Sequence, residues 1–229
     1  MNKKIKKGLK RNILFFLLIS VFVSETSALE IKIMGGYNFS RYTFIPETYM
    51  GIDWDQGVEF RTRSNLKKRL LMGVGVEFLL NKYIGIEMDI LYFQKGCHLK
   101  VYRMDIPVQT TDYSLDALSL PLLLKIKLRP ASSPYIICGC EFSYILSHNS
   151  KYTLESIVEP YQYEQDLKDR TLNFDIAWVL GGGFEIKIQG VTFFVEGRFH
   201  LGIENIMSES YPYELIKTKS EALLFGFKL

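Results

Sequence analysis

The sequence predicts an all-β protein, an eight-stranded antiparallel up-and-down transmembrane β-barrel that follows an N-terminal signal peptide. Three observations predict it: a hydrophobic period of two in eight segments, connections that alternate between short and long, and an apolar face almost free of charge. A soluble barrel would instead turn a polar face to water. The pattern therefore indicates a barrel that spans a membrane.

The first 28 residues have the pattern of a signal peptide. Six basic residues precede an apolar run at 13–23. This run is shorter than the roughly 20 residues that a membrane-spanning helix needs, although a retained anchor helix is the alternative. We expect cleavage between Ala28 and Leu29. The expected domains are a signal peptide at 1–28 and an outer-membrane barrel at 29–229.

The charge of the chain argues against a nucleic-acid-binding protein. Residues 1–28 hold six of the 28 basic and one of the 25 acidic residues, which leaves 22 basic and 24 acidic residues, a net charge of about −2, for the remainder. This remainder has no overall basic surface for a polyanion. Its apolar stretches are interrupted by Gly, Pro or charge before they reach the length of a spanning helix.

Period-two alternation locates the strands. It predicts them near 30–42, 69–80, 83–96, 115–128, 134–146, 173–188, 191–203 and 220–229. The connections are short at 81–82, 129–133 and 189–190, and long at 43–68, 97–114, 147–172 and 204–219. Short periplasmic turns and long external loops are typical of outer-membrane barrels, so we expect both termini in the periplasm.

The two faces of the strands differ in charge. The charged positions expected on the inner face are Glu77, Glu87, Asp89, Lys125, Lys127, Glu141, Glu185, Lys187, Glu196 and Arg198. Charge is costly against lipid but tolerable inside a barrel, where opposite signs can pair. An eight-stranded barrel is only wide enough for its own side chains. We therefore expect a paired interior network that plugs the barrel; a gated conduit or proton path is the alternative.

Four stretches of the sequence match known family patterns. They are GGYNFS at 35–40, LYFQKG at 91–96, SLPLLLK at 119–125 and RFHLGIENI at 198–206. In this order they resemble the PorT-like outer-membrane β-barrel family of Bacteroidetes, whose patterns are GxNxS, LLYxQKG, LxxPLLLK and RYxxGLxNI. The resemblance implies an eight-stranded barrel, and it implies as an alternative function a component of a gliding-linked secretion system. His200 and the segment 147–172 lie outside the matching patterns.

Histidines and cysteines give weak signals for chemistry. His200 is the candidate base of a lipid-A-modifying enzyme, because RFH at 198–200 superficially resembles the RxxHxS stretch of the deacylases, but Gly202 stands where the nucleophilic Ser belongs. We expect His200 to hydrogen-bond to an acidic neighbour, and His98 and His148 to be solvated loop residues. Cys138 and Cys140 are expected to be small apolar side chains. No catalytic residue, metal or cofactor is expected.

The long loops carry the hypothesis of a binding function. Tyr152, Tyr161 and Tyr163 are the candidate recognition residues, because exposed aromatic side chains can anchor partners. The alternative is that these rings pack together or lie in the headgroup layer. We expect a monomeric, non-enzymatic outer-membrane protein. Its expected partners are outer-membrane lipid, the barrel-assembly machinery, and an extracellular or secretion-system protein.

Overall fold

The computed structural model describes residues 29–45, 52–53, 58–103, 106–130, 132–154, 161–208 and 215–229. The predicted signal peptide and its last residue, Ala28, lie outside the described residues. The strands are β1 (Leu29–Ile45), β2 (Ile52–Asp53), β3 (Val58–Leu79), β4 (Ile84–Arg103), β5 (Ile106–Lys127), β6 (Pro134–Leu154), β7 (Tyr161–Asp166), β8 (Phe174–Ile188), β9 (Val191–Gly202) and β10 (Leu215–Lys228). In this part of the chain, no helix is long and apolar enough to cross a membrane.

Eight of these strands form a closed antiparallel barrel. Strands β1, β3, β4, β5, β6, β8, β9 and β10 pair in this order, and β1 closes the barrel by pairing with both β3 and β10. In β1, for example, Ile33 lies opposite Val74 on one side and Phe227 on the other. The predicted fold class, an up-and-down barrel of eight strands, is confirmed.

The barrel has two different ends. Leu29, Leu229 and the short turns that follow β3, β5 and β8 lie at one end, which we call the turn end; we call the opposite end the loop end. The turn between β8 and β9 consists of Gln189 and Gly190, with φ angles of 48° and 91°. Two residues with positive φ suit the right-handed twist of a tight hairpin. The short connections therefore lie where the sequence predicted them.

The strands at the loop end are longer than the sequence predicted. The predicted loop at 97–114 is wrong, because most of it continues the pairing of β4 with β5, and part of the predicted loop at 147–172 extends β6 and forms β7. Pairing of β1 with β3 stops at Ser40 and Lys67, whereas β3 pairs with β4 further outward. The loop-end parts of β3 to β6, with β2 and β7, thus form an open sheet beyond the barrel. We call it the projecting sheet.

The apolar face of the barrel points outward. In β5, the side chains of Leu118, Leu120, Leu122 and Leu124 are between 41% and 46% exposed, whereas Ser119 between them is fully buried. This exposed apolar belt is the surface that contacts lipid in a membrane barrel. Pro121 has no amide hydrogen to donate, and the pairs between β4 and β5 accordingly lapse between Met88–Leu122 and Leu91–Ser119 while the register continues on both sides.

Apolar layers divide the interior of the barrel. One layer lies in the middle of the barrel and consists of Met34, Leu71, Leu91, Phe93, Phe194, Ala222 and Leu224. A second layer, which we call the cap, lies at the loop end and consists of Tyr42, Cys97, Tyr113, Leu115, Ala117, Ile145, Leu167, Ile206, Met207 and Ile216. These layers and the charged groups between them fill the barrel with side chains.

Candidate functional site

The charged interior begins near the turn end, where three lysines share two carboxylates. Lys125 Nζ lies 3.1 Å from Glu77 Oε2 and 3.2 Å from Glu185 Oε2. Lys127 Nζ lies 2.8 Å from Glu185 Oε1, and Lys228 Nζ lies 2.6 Å from Glu185 Oε2. All five side chains are buried. Because β5, β3, β8 and β10 each contribute, these ion pairs connect strands across the lumen.

The middle group is centred on Arg198 of β9. Its guanidinium lies 2.7 Å from Glu87, 2.7 Å from Asp89 and 2.6 Å from Glu196. Lys32 of β1, the strand midway between β9 and β4 around the wall, also contacts Glu87. An arginine can serve three carboxylates because its planar guanidinium presents five donors in fixed directions.

Two glycines leave the room that this middle group needs. A Cβ atom on Gly75 would overlap the carboxylate of Asp89, and one on Gly183 would lie 2.6 Å from the hydroxyl oxygen of Tyr135. That hydroxyl donates a hydrogen bond of 2.8 Å to Glu196. The inner-face glycines therefore give space to long polar partners.

The third group lies between the middle apolar layer and the cap. Lys95 Nζ lies 3.2 Å from Glu141 and 3.2 Å from Asp175, and Thr218 donates a hydrogen bond of 2.8 Å to Asp175. His200 Nδ1 lies 2.9 Å from Glu141 Oε2. The structure thus places His200 beside an acidic neighbour, as expected from the sequence, but among the described residues the expected hydrogen bond is not formed at either ring nitrogen.

The structure buries nine of the ten charged residues predicted for the interior. Lys187 is the exception: it is exposed, because it is the second-last residue of β8 and lies where the barrel opens at the turn end. Sequence reasoning missed Lys32, Lys95, Asp175 and Lys228. Strand parity could have found two of these, because Lys95 alternates in step with Asp89, and Asp175 in step with Glu185.

His200 has no nucleophile beside it in the described part of the chain. No described hydroxyl or thiol hydrogen-bonds to its ring, which packs edge-on against Phe93 with 5.0 Å between the ring centroids. No group of three or more His, Cys, Asp or Glu side chains among the described residues has the arrangement of a metal site. Cys97, Cys138 and Cys140 are all free thiols.

The cap contains a histidine that the sequence analysis placed wrongly. His148 is fully buried instead of solvated, because β6 continues past 146 and turns this side chain inward. Its Nδ1 lies 2.8 Å from Thr171 Oγ1, and its Nε2 lies 3.3 Å from the hydroxyl oxygen of Tyr42. Burial lowers the pKa of His148 to about 4, because the cap disfavours the charged ring. His98, in contrast, is 41% exposed on β4.

The three candidate recognition tyrosines lie in strands of the projecting sheet. Tyr152 of β6 lies opposite Tyr163 of β7, with the rings stacked at a centroid distance of 6.4 Å. Tyr161 and Tyr163 are 63% and 51% exposed. Tyr152 and Tyr163 are thus neighbours, and the irregular loop expected around them is replaced by a β-hairpin.

Strand β7 forms one edge of the projecting sheet. It pairs with β6, and no other described strand pairs with it. The amide of Leu167, just after β7, donates a hydrogen bond of 2.8 Å to the carbonyl of His148 in β6. Since bonding directions alternate along an antiparallel strand, the backbone groups of Gln162, Glu164 and Asp166 point away from β6.

Most of the chain matches the sequence pattern of a known protein family. Residues 22–208 match the outer membrane protein β-barrel domain. The chain belongs to this family. Membership in the outer membrane protein β-barrel domain family places the protein in the outer membrane. Comparison with curated proteins finds no match.

Several solved outer-membrane proteins are similar to this chain. Ail, the attachment invasion locus protein of Yersinia pestis, is 11% identical over 87% of this chain and 98% of its own, with a TM-score of 0.41. OprG of Pseudomonas aeruginosa is 13% identical over 88% and 95%, with a TM-score of 0.45. The outer membrane protease OmpT of Escherichia coli is 9% identical over 89% and 98%, with a TM-score of 0.44.

Within this outer-membrane barrel, the motif stretches have structural roles. The Ser40 hydroxyl donates a hydrogen bond of 2.8 Å to the Gly96 carbonyl and accepts one of 2.7 Å from the Gly96 amide. Asn38 donates one of 2.7 Å to the Gln94 carbonyl. The motifs at 35–40 and 91–96 are therefore joined inside the barrel.

Proposed function

We propose that this outer-membrane barrel is a non-enzymatic anchor that presents the projecting sheet to a protein partner. The observation that carries the proposal is the open edge of β7, which lies beside two exposed tyrosines. An open strand edge can accept an extended segment of another chain through main-chain hydrogen bonds, and neighbouring side chains then select the segment.

The composition of β7 supports this use of its edge. Exposed edge strands are commonly protected against foreign pairing by Lys or Pro. Residues 161–166 read YQYEQD and contain neither. Glu164 and Asp166 are exposed and acidic. We therefore propose that the partner is an extended, basic segment, with apolar or aromatic side chains that contact Tyr161 and Tyr163.

The interior supports the role of an anchor. The ion pairs connect β1, β3, β4, β5, β6, β8, β9 and β10 through the lumen, and the middle apolar layer separates the two groups on either side of it. Because side chains fill the lumen, we propose that the barrel does not act as a channel and that partners bind at its ends. We accordingly assign His200 to the ion-pair network with Glu141 and propose no catalytic role for it.

The decisive experiment compares Glu164→Pro with Glu164→Gln. Proline at 164 removes an amide that points away from β6, so the hairpin keeps its pairing while an incoming strand loses a donor. Both variants lose the ion pair of Glu164 with Lys151, whose atoms lie 3.3 Å apart.

The readout is capture of surface or secreted proteins by chemical crosslinking in whole cells. We expect Glu164→Pro to abolish capture and Glu164→Gln to weaken it. Equal capture by the parent protein and both variants would contradict binding at this edge. Tyr161→Ala, at an exposed side chain, should reduce capture without changing the barrel.

We further propose that the loop end faces the outside of the cell and that both termini are periplasmic, since short turns typically lie on the periplasmic side. Labelling of Tyr161→Cys on intact cells with a membrane-impermeant maleimide tests this orientation. The parent protein is the control for labelling of its own thiols. Cys97 is buried and Cys138 lies in the lipid-facing belt, so a reagent dissolved in water should not reach them.

A role in a gliding-linked secretion system is the second candidate function, and it rests on the four motif stretches that resemble the PorT-like family. Several motif residues, such as Ser40 and Lys125, contact other strands inside the barrel. A structural role in the barrel therefore also accounts for their presence in the motifs. Deletion of the gene, followed by measurement of secreted proteins, tests the role. Normal secretion would contradict it and leave the anchor proposal intact.

A further inference from the structure

Four cations cluster on the outer surface of the barrel, just beyond the loop-end border of the apolar belt. They are Arg41 of β1, Lys68 of β3, and Lys217 and Lys219 of β10. Arg41 lies directly opposite Lys219 in the register of β1 with β10, and Lys68 lies opposite Phe39 in the register of β1 with β3. The four cations therefore occupy one continuous surface of three adjacent strands, which we call the basic patch.

The basic patch is electrostatically incomplete. Like charges directly opposite each other on one face of a sheet destabilise it. Among the described residues, no carboxylate forms an ion pair with any of the four cations, although Glu221 lies two residues from Lys219 on the same face. In the interior of the same protein, every lysine and arginine that is buried contacts a carboxylate. The patch thus lacks the counterion that the rest of the barrel supplies.

Aromatic rings fix the depth of the basic patch in the membrane. Lys68 Nζ lies 3.8 Å from the ring centroid of Tyr37, and Lys219 Nζ lies 5.1 Å from that of Phe199. Rings at the border of an apolar belt lie at the level of lipid headgroups. The two ammonium groups are thereby held at the depth where lipid phosphates occur.

The opposite side of the barrel has a different border. Beyond Tyr92 and Tyr144, the outward residues are Gln94, Asp116 and Ser147, and they form hydrogen bonds of 3.2 Å and 3.3 Å with one another. That border is polar and acidic, and the Asp116 carboxylate there accepts hydrogen bonds from Gln94 and Ser147. The cations are therefore concentrated at one side of the barrel and do not form a uniform ring.

We propose that the basic patch binds the phosphate of an anionic lipid headgroup in the leaflet at the loop end. Arg41 can bind two phosphate oxygens with its guanidinium. Lys68 and Lys219 contact the same phosphate from the two neighbouring strands, and Lys217 adds positive charge on the side away from the belt. The lipid chains lie along the exposed apolar side chains below, and the bound phosphate removes the repulsion between Arg41 and Lys219.

The test is titration of the full chain in neutral detergent with phosphatidylglycerol, followed by native mass spectrometry. The variant Arg41→Gln/Lys219→Gln is compared with Lys100→Gln/Lys187→Gln, which removes two charges away from the patch. Each cation near an anionic lipid contributes about fivefold to affinity, so the patch variant should bind about 30-fold more weakly. The control should bind within about threefold of the parent, because distant charges are screened.

Three outcomes would overturn the proposal. They are an equal loss of affinity in both double variants, equal binding of zwitterionic phosphatidylcholine by the parent, and displacement of the lipid by millimolar inorganic phosphate, which would indicate a site for a free anion. Detergent gels verify that the variants fold: an unheated sample that contains folded barrel migrates faster than the same sample after heating. If the patch variant does not fold, Lys68→Gln replaces it, with an expected loss of about fivefold.

Discussion

The barrel interior and the projecting sheet share strands β3 to β6 but are stabilised in different ways. Inside the barrel, Arg198 and its three carboxylates have no solvent exposure. On the projecting sheet, Lys151 and Glu164 form an ion pair at 3.3 Å but are 45% and 75% exposed. Buried ion pairs are expensive to break, whereas exposed pairs contribute about 0–1 kcal/mol. The comparison separates a part of the protein that tolerates little change from a part that is free to vary.

The largest expected effect is loss of the central guanidinium. Arg198→Met should destabilise the barrel by about 3–5 kcal/mol, because it leaves Glu87, Asp89 and Glu196 close together with only Lys32 and Lys125 to offset their charge among the described residues. Urea unfolding followed by the gel shift of the folded barrel measures this change. Lys151→Gln is the matched control and should change stability by less than about 1 kcal/mol. A similar loss of unfolding free energy in both variants would contradict the proposed difference between the interior and the projecting sheet.

A smaller effect is expected where charge is added to the lipid-facing surface. Leu122→Arg should destabilise the barrel by about 2–4 kcal/mol, since the new charge meets lipid near the middle of the belt. The control is a charge added to the inner face at a position with open space, which excludes sites such as Ser119, whose buried hydroxyl lies 2.6 Å from that of Ser143. Thr192→Arg meets this requirement, because Thr192 lines the opening at the turn end together with Glu30 and Glu185. Equal damage from both would contradict the assignment of faces.

The smallest effect concerns pH and the cap. His148 has a pKa of about 4 when folded against 6.5 in the unfolded chain. The unfolded chain therefore binds a proton first as pH falls, so the stability of the cap is full above about pH 6.5 and declines toward pH 4, by up to about 3 kcal/mol. Hydrogen exchange of the projecting sheet between pH 7.5 and 4.5 measures this decline.

His148→Gln is the control for the cap. Glutamine keeps a polar side chain that can bond to Thr171 and removes the titrating ring. The pH dependence of exchange at the loop end should therefore flatten in this variant. Unchanged pH dependence would assign the effect to other groups.

Much of the barrel could be predicted because a membrane imposes a strict alternation on its strands. Each residue in the belt faces either lipid or the lumen, so Leu122 and Lys125 could be assigned to opposite faces from the sequence alone. The projecting sheet lacks this constraint. Both of its faces carry polar side chains, such as Asp112 on one face and Thr111 on the other, so the hydrophobic period disappears while backbone pairing continues.

The partners of the interior charges were beyond sequence reasoning for a related reason. Parity places Glu141 and Arg198 on the inner face, but it does not say which strands meet across the lumen. His200 contacts Glu141 rather than the carboxylates of the middle group around Arg198, because β9 lies at a particular height relative to β6. That height depends on the stagger of the closed barrel. His148 was misplaced because the end of β6 could not be located.

Closure of the barrel by β1 and β10 also has a consequence for the order of assembly. Ile33 pairs with Phe227, so this contact joins the two ends of the described chain and forms only after β10 has been made. Contacts between distant parts of a chain form slowly, and β1 and β9 each have an unpaired edge until then. Lys228 arrives with the same last strand and supplies Glu77 and Glu185 with one of their three cations. The final strand therefore completes both the hydrogen bonding of the wall and the charge balance of the lumen in a single late step.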